Sequence, residues 1–183
     1  MSWLQKNDLK RMAYCGTNVK ISDKALIYGI ENLSIGDNVR IDAQTLILAK
    51  NGQLNIGSFV HIAAQNMFLC AGKIFIGNHV AISFGNQLIS ASDDFSGDHL
   101  IGPVYTEKQR QVVRAPIVMK DFSAIGAGSI VMPGVVFAEG AVLGAGSLAP
   151  NNLKADWSIY YGRPAVYQKA RSRACLDLVH PDQ

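Results

Sequence analysis

Four histidines and a knot of carboxylates are the residues of this sequence best suited to moving protons. The histidines are His61, His79, His99 and His180, and the carboxylates gather in SDDFSGDH as Asp93, Asp94 and Asp98. An imidazole titrates near neutrality, and a carboxylate bonded to one ring nitrogen fixes the tautomer and raises the basicity of the other. Such a pair can take the proton of a nucleophile as it attacks a carbonyl carbon. The question is what framework would hold these groups.

The stretch MKDFSAIGAGSIVMPGVVFAEGAVLGAGSLA (119–149) supplies it. Met119, Ile125, Val131, Phe137, Leu143 and Ala149 recur every six residues, with Ser123, Ser129, Val135, Ala141 and Ser147 two places before the later ones. A period of six fits neither a helix nor a hairpin; it fits a chain wound as a triangular prism, one aliphatic inward per side. Each coil then buries its face only against its neighbours. Pro133, Glu139 and the glycines exclude a membrane span. The phrase returns in ISDKALI (21–27), IGDNVRI (35–41), IGSFVHI (56–62) and IGNHVAI (76–82), so the repeat covers residues 19–155. An N-terminal capping segment precedes it at 1–18. A turn and a helix of about three turns, started by Pro164, are expected over 156–183.

On this frame His61 precedes the inward Ile62 and points outward at a corner, whereas His79 falls mid-phrase and reads as a surface residue. His180 sits in the tail. His99 belongs to residues 90–116, a long segment without the repeat, of the length expected for a lid or binding arm. The rest of the composition is restrained. At 183 residues the chain makes one domain, with 49% hydrophobic and only 17% charged residues, which suits a surface partly covered by partners. A formal charge of +3 is too small to indicate nucleic acid. Cys15, Cys70 and Cys175 form no CxxC and suit a reducing compartment, and MSWLQKNDLK lacks the apolar core of a signal peptide; the expectation is a cytoplasmic protein without membrane insertion.

The hexads, the long loop after IGNHVAI and the closing YYGRPA resemble the hexapeptide-repeat acyltransferases across nearly the whole chain. The phrases VRID, VHIA, SDDFSG and GRPA are most similar to those of bacterial sugar O- and N-acetyltransferases of polysaccharide and lipopolysaccharide synthesis. The resemblance implies an all-β fold, a left-handed parallel β-helix with a long excursion loop and a C-terminal helix. It also implies a homotrimer with acetyl-CoA in the grooves between prisms and no metal. Ala127 and Ala145 match positions along which the cofactor's pantetheine arm runs. Lys169 matches a basic position facing its phosphates, with Arg163 nearby, although Val166 stands where a basic residue is usual. Many members place a catalytic histidine where this chain has Asp93. Ala63 matches a position facing the acceptor from the neighbouring subunit. His61 of one chain is therefore expected to meet Asp93 of the next as the catalytic pair, with Ala63, Asp94 and His99 toward the acceptor.

The resulting expectation is an acetyl-CoA-dependent O-acetyltransferase acting on a sugar. The alternative is an N-acetyltransferase of a nucleotide-linked amino sugar, because a neutral amine attacks with less help than a hydroxyl. Two rivals share the fold: a carbonic-anhydrase-like metalloenzyme and a non-catalytic prism. The first needs three converging histidines, yet His61 and His79 stand one and three places before their inward residues, and Phe84 and Gly85 occupy the place of a third ligand.

Overall fold

The computed structural model describes residues 2–179, so His180 lies outside it. The chain winds as a left-handed prism of about seven coils whose sides form three parallel sheets. The first sheet runs from Tyr14–Cys15 to Val136–Phe137 and the third from Leu26–Tyr28 to Leu148–Ala149. The second runs from Lys20–Ile21 to Val142–Leu143 and gains a last parallel strand, Ser158–Gly162. Each coil places its inward residues directly under those of the coil before. On the second sheet Ile41, Ile62, Ile82, Ile125 and Leu143 form one ladder, and on the third Ile47, Phe68, Leu88, Val131 and Ala149 form another, none more than 2% exposed. Burying one such aliphatic stabilises by about 1.5–3 kcal/mol, so truncating any rung should be felt along the axis.

The corners carry the other half of the pattern. Between the first and second sheets, Asn18, Asn38, Phe59, His79 and Phe122 all hold positive φ angles of 51–59°, costly for residues with side chains. Stacking offsets the cost: His79 lies between Phe59 and Phe122 with ring centroids 5.0 and 4.7 Å away and planes within 3°. His79, which reads in the sequence as a plain surface residue, is a rung of this stack. Between the second and third sheets the left-handed column is Gln44, Gln65, Gly85, Gly128 and Gly146. Behind it a buried polar column passes hydrogen bonds from coil to coil, Asn86 N–H to Asn66 Oδ1, Ser129 N–H to Asn86 Oδ1 and Ser147 N–H to Ser129 Oγ.

Residues 90–116 leave the prism at the corner between the third and first sheets through an antiparallel pair, Ala91–Asp93 with Val112–Arg114. The N-terminal segment contributes one helical turn, Lys6–Leu9. The C-terminal helix expected from the sequence is absent from the described residues. Instead Ser158–Gly162 turns at Arg163–Pro164 and returns as Ala165–Ala170, antiparallel, before a short 3-10 turn at Ala174–Leu178. The segment SIYYGRPAVYQKA is rich in aromatic and branched residues and has Gly-x-Pro at its centre, a hairpin signal stronger than the helix-starting preference of Pro164. Tyr160 turns inward and Tyr167 packs edge-on against it at 5.8 Å, fixing the returning strand.

Candidate active site

The corner between the second and third sheets carries only glycine and alanine in its last two coils, below a fourth coil where Phe84 is exposed. The residues just outside it run Asp42–Ala43–Gln44, Ala63–Ala64–Gln65, Ser83–Phe84–Gly85, Gly126–Ala127–Gly128 and Gly144–Ala145–Gly146. In the upper coils Gln65 donates to Gln44 Oε1 and closes the edge. From the fourth coil down glycine replaces glutamine, and a methyl group added at Gly85, Gly128 or Gly146 would meet nothing within 4 Å. Ala127 and Ala145 are exposed on this edge. Their N–H groups have no hydrogen-bond partner among the described residues. Arg163 reaches the same edge, its Nε–H donating to the Gly146 carbonyl at 2.8 Å. Lys169 is exposed on the returning strand opposite Ile159 rather than on a helix. Arg171 is used structurally, donating to the carbonyls of Phe122 and Gly140 and packing over Trp157.

The outward row of the second sheet leads into this edge. Lys20, Arg40, His61, Ala81, Ala124 and Val142 lie in register, one per coil. His61 points outward, its side chain half exposed, but its carboxylate partner is Asp42 of its own chain, with Nε2 2.9 Å from Oδ2. Asp42 accepts also from Arg40 Nε at 2.7 Å on its other oxygen and is itself buried. Burial pushes the Asp42 carboxyl up, yet the hydrogen bonds and charges of Arg40 and His61 outweigh it and hold the group below the usual range. Sequence reasoning missed Asp42. The signal was there: Arg40 and His61 hold the same place in IGDNVRI and IGSFVHI, and Asp42 follows by one. Ala63, expected to face the acceptor, is a correction. It is 2% exposed, packed behind the corner, with its carbonyl accepting from Thr45 Oγ1 and Asn66 Nδ2, and it offers no surface to a ligand.

The excursion loop holds the remaining candidates at the other end of the third sheet. Asp94 and His99, both expected toward the acceptor, bond to each other, Oδ2 to Nδ1 at 3.1 Å, and Asp94 also closes a turn on Ser96. Ser96, through its side chain and backbone, and then His99 lower the Asp94 pKa. Asp93 accepts from the Gly102 N–H at 3.1 Å through Oδ2 and lies 3.6 Å from Arg110. Its Oδ1 is buried with no hydrogen-bond partner among the described residues. His61 and Asp93 are thus carried by different corners of the prism, with the third sheet between them. Among the described residues no three His, Cys, Asp or Glu side chains gather as a metal site, and no helix is long and apolar enough to cross a membrane.

No protein-family model matches the chain. It is 35% identical over 180 residues to the dTDP-4-amino-4,6-dideoxy-D-glucose acyltransferase of Escherichia coli, covering 97% of this chain and 93% of that one. Its structure is similar to AntD, an N-acyltransferase from Bacillus cereus, solved with dTDP and 3-hydroxybutyryl-CoA, at 37% identity, TM-score 0.89 and coverage of 97% and 94%. A serine variant of AntD in complex with dTDP-4-amino-4,6-dideoxyglucose and coenzyme A matches equally well, with TM-score 0.89 at 37% identity. A hexapeptide-repeat acetyltransferase from Vibrio cholerae, complexed with acetyl-coenzyme A, shares the fold at 17% identity and TM-score 0.60, covering 90% of this chain and 74% of its own. The smooth corner edge, the hexad ladders and a likeness that spans both chains make one conclusion: this protein is an acyltransferase belonging to the hexapeptide-repeat family of sugar acyltransferases.

Proposed function

We propose that the chain transfers an acyl group from acyl-CoA to the amino group of a nucleotide-linked amino sugar. The observation that carries this is the likeness, at 35–37% identity along the whole chain, to proteins whose named acceptor is a 4-amino-4,6-dideoxyglucose joined to dTDP. It favours the amino-sugar alternative over the sugar hydroxyl expected first. Products of this kind suit cell-surface polysaccharide or lipopolysaccharide synthesis, and three free cysteines suit the cytoplasm as its place.

The donor fits the glycine edge. Ala127, Ala145 and the glycines beside them leave room for a thin chain against the backbone, and Arg163 and Lys169 lie at the lower end for its phosphates. The donor supplies the thioester carbonyl carbon that the acceptor nitrogen attacks. An unpartnered N–H such as that of Ala127 can hold the charge gathering on the carbonyl oxygen. As the C–N bond forms and the C–S bond breaks, the nitrogen becomes acidic and must lose a proton, while the departing sulfur gains one.

We assign the nitrogen's proton to Asp93. Its Oδ1 makes no hydrogen bond among the described residues, although Arg110 Nε lies 3.6 Å from it, and the side chain sits at the root of the excursion loop. The serine and aspartate substituted in the AntD structures also stand ten positions apart, as Ser83 and Asp93 do here. Ser83 lies at the open corner two residues beyond Ala81, where the acceptor would meet the edge. Asp93 reaches that corner only from a second chain. The third sheet's outward rows, Leu26–Leu46–Met67–Gln87–Ile130 and Tyr28–Leu48–Leu69–Ile89, are apolar apart from Gln87. Turning them to a threefold axis would set the glycine corner of one chain beside the loop-bearing corner of the next. A homotrimer with three shared sites follows, with Asp94 and His99 on the acceptor side of each.

The test is a thiol-release assay with acetyl-CoA and dTDP-4-amino-4,6-dideoxyglucose, followed by mass analysis of the product. An N-acylated sugar nucleotide is expected. Acylation of the corresponding 4-hydroxy sugar, with the amine left untouched, would restore the O-acyltransferase reading.

A further inference from the structure

We propose that Phe84 sets the length of the acyl group this chain transfers. Its ring walls the upper end of the donor edge, so that an acetyl group fits beyond the thioester and a longer chain does not. This deepens the reading of the glycine edge as the place of the donor and rests on it. The likeness to relatives does not fix the acyl group, since 3-hydroxybutyryl-CoA and acetyl-coenzyme A both occur among them.

Position comes first. The Gly146 N–H donates to the Ala127 carbonyl at 2.8 Å and the Gly128 N–H to the Phe84 carbonyl at 2.9 Å, so Phe84, Ala127 and Ala145 stand over one another on successive coils. Such coils are spaced like neighbouring strands, about 4.8 Å apart. A thin chain laid along Ala145 and Ala127 therefore arrives at the level of Phe84 one coil later. Ser83, where the acceptor amine is placed, is its neighbour in the chain. The end of the donor that meets the amine is thus the end that meets the ring.

The second observation is bulk. At this place in each coil the column reads Ala43, Ala64, Phe84, Ala127 and Ala145, one ring among methyl groups. The Phe84 side chain belongs to none of the inward ladders and is 56% exposed, although an aromatic ring gains by burial. Beside it, a methyl group added at Gly85 would meet nothing within 4 Å. The chain therefore spends a large apolar side chain on the open edge, at the one level where the transferred group must sit.

The third is what stands behind it. One coil further up, Gln65 Nε2 donates to Gln44 Oε1 at 3.0 Å, and both side chains are exposed across the same corner. An acyl chain prolonged in the direction the donor runs meets the ring first and this amide bar behind it. Forcing extra methylenes against a filled site is unfavourable, and each one accepted or refused changes kcat/KM by about ten- to two-hundredfold.

The experiment compares acetyl-CoA with butyryl-CoA in the thiol-release assay, at saturating dTDP-4-amino-4,6-dideoxyglucose, for the wild type, Phe84→Ala and Phe84→Tyr. The wild type should prefer acetyl-CoA in kcat/KM by about tenfold or more. Phe84→Ala should cut that preference by about tenfold, chiefly by gaining activity with butyryl-CoA, whereas Phe84→Tyr, which keeps the ring, should retain it. Titration calorimetry of Phe84→Ala with CoA and with dTDP should return wild-type affinities, because neither ligand carries the acyl group. Its melting curve should also match, the side chain being exposed. A wild type that uses butyryl-CoA as readily as acetyl-CoA overturns the wall, and so does an unchanged preference in Phe84→Ala. A weakened affinity for CoA or dTDP with the preference intact overturns it too, making Phe84 a contact of the carrier or of the nucleotide. Each of these results leaves the proposed reaction standing. A wild type inactive with both donors overturns that reaction itself, and the wall with it.

Discussion

His61 Nε2 and Asp42 Oδ2 stand 2.9 Å apart within one chain, and the same carboxylate holds Arg40 at 2.7 Å through its other oxygen. The arrangement has a pH signature. The Asp42 carboxyl lies below its ordinary range because the bonds and charges of Arg40 and His61 overcome the upward push of burial. A depressed carboxyl contributes stability that is complete above its unfolded value, about 3.9, and is lost as pH falls through the folded value. Asp94 and Asp37 are lowered too, through Ser96 and Thr17 respectively. Melting temperatures should therefore hold steady down to about pH 4 and fall below it. Asp42→Asn should shrink the part of that fall that Asp42 contributes, and a variant curve parallel to the wild type's would show that the pair is not linked to folding.

The kinetic roles of His61 and Asp93 should separate. Asp93→Asn removes the proposed proton acceptor and should lower kcat by about 10²–10⁴-fold. His61→Ala leaves that acceptor in place and should cost kcat far less, with KM for acetyl-CoA little changed in both. The opposite split, kcat lost with His61 and kept with Asp93→Asn, would return the base to the imidazole. Equal and non-additive losses in both would show that they act as one unit.

Much of this architecture is legible in the sequence because a period of six leaves few alternatives. The inward residues Met119, Ile125, Val131, Phe137, Leu143 and Ala149 are all buried on successive sides. The small edge at Ala127 and Ala145 is legible for the same reason, since corner positions recur with the ladder. What the period cannot show is which outward side chains bond sideways. Asp42 is invisible until Arg40 and His61 are placed on adjacent rungs, and Ala63 looks available until the chain is folded around it. The tail is misread for another reason: once the hexads stop, Pro164 and Gly162 support a helix start and a hairpin turn alike, and the inward pull on Tyr160 decides.

A bulky residue on the glycine edge should discriminate donor from acceptor. Ala145 is exposed, and its neighbour Gly146 has open space where a side chain would be. Ala145→Trp should leave the melting temperature within a degree or two, because surface substitutions away from packed features change stability by about 0.5 kcal/mol or less. It should raise KM for acetyl-CoA by about tenfold or more while dTDP binding persists. Unaltered donor kinetics would move the donor to another corner.

Assembly should be required for the chemistry, because Asp93 and the glycine edge occupy different corners of the prism. Light scattering should give a trimer. Leu46→Glu combined with Met67→Glu places two adjacent carboxylates on the apolar third sheet, where like charges facing each other repel, and should yield folded, inactive monomers. A stricter test mixes two weakened proteins. Asp93→Asn spoils the loop side of a shared cleft and Ala145→Trp spoils the edge side, so each homotrimer has three damaged sites. After denaturation and joint refolding, random mixing would leave roughly a quarter of the clefts with an intact loop from one chain and an intact edge from another. Assayed with acetyl-CoA well below the wild-type KM, where the raised KM costs Ala145→Trp about tenfold or more, activity should rise above that of either parent, toward a quarter of the wild type. If both halves of the site came from one chain, no mixed trimer could contain an intact cleft, and the mixture would stay as inactive as its components.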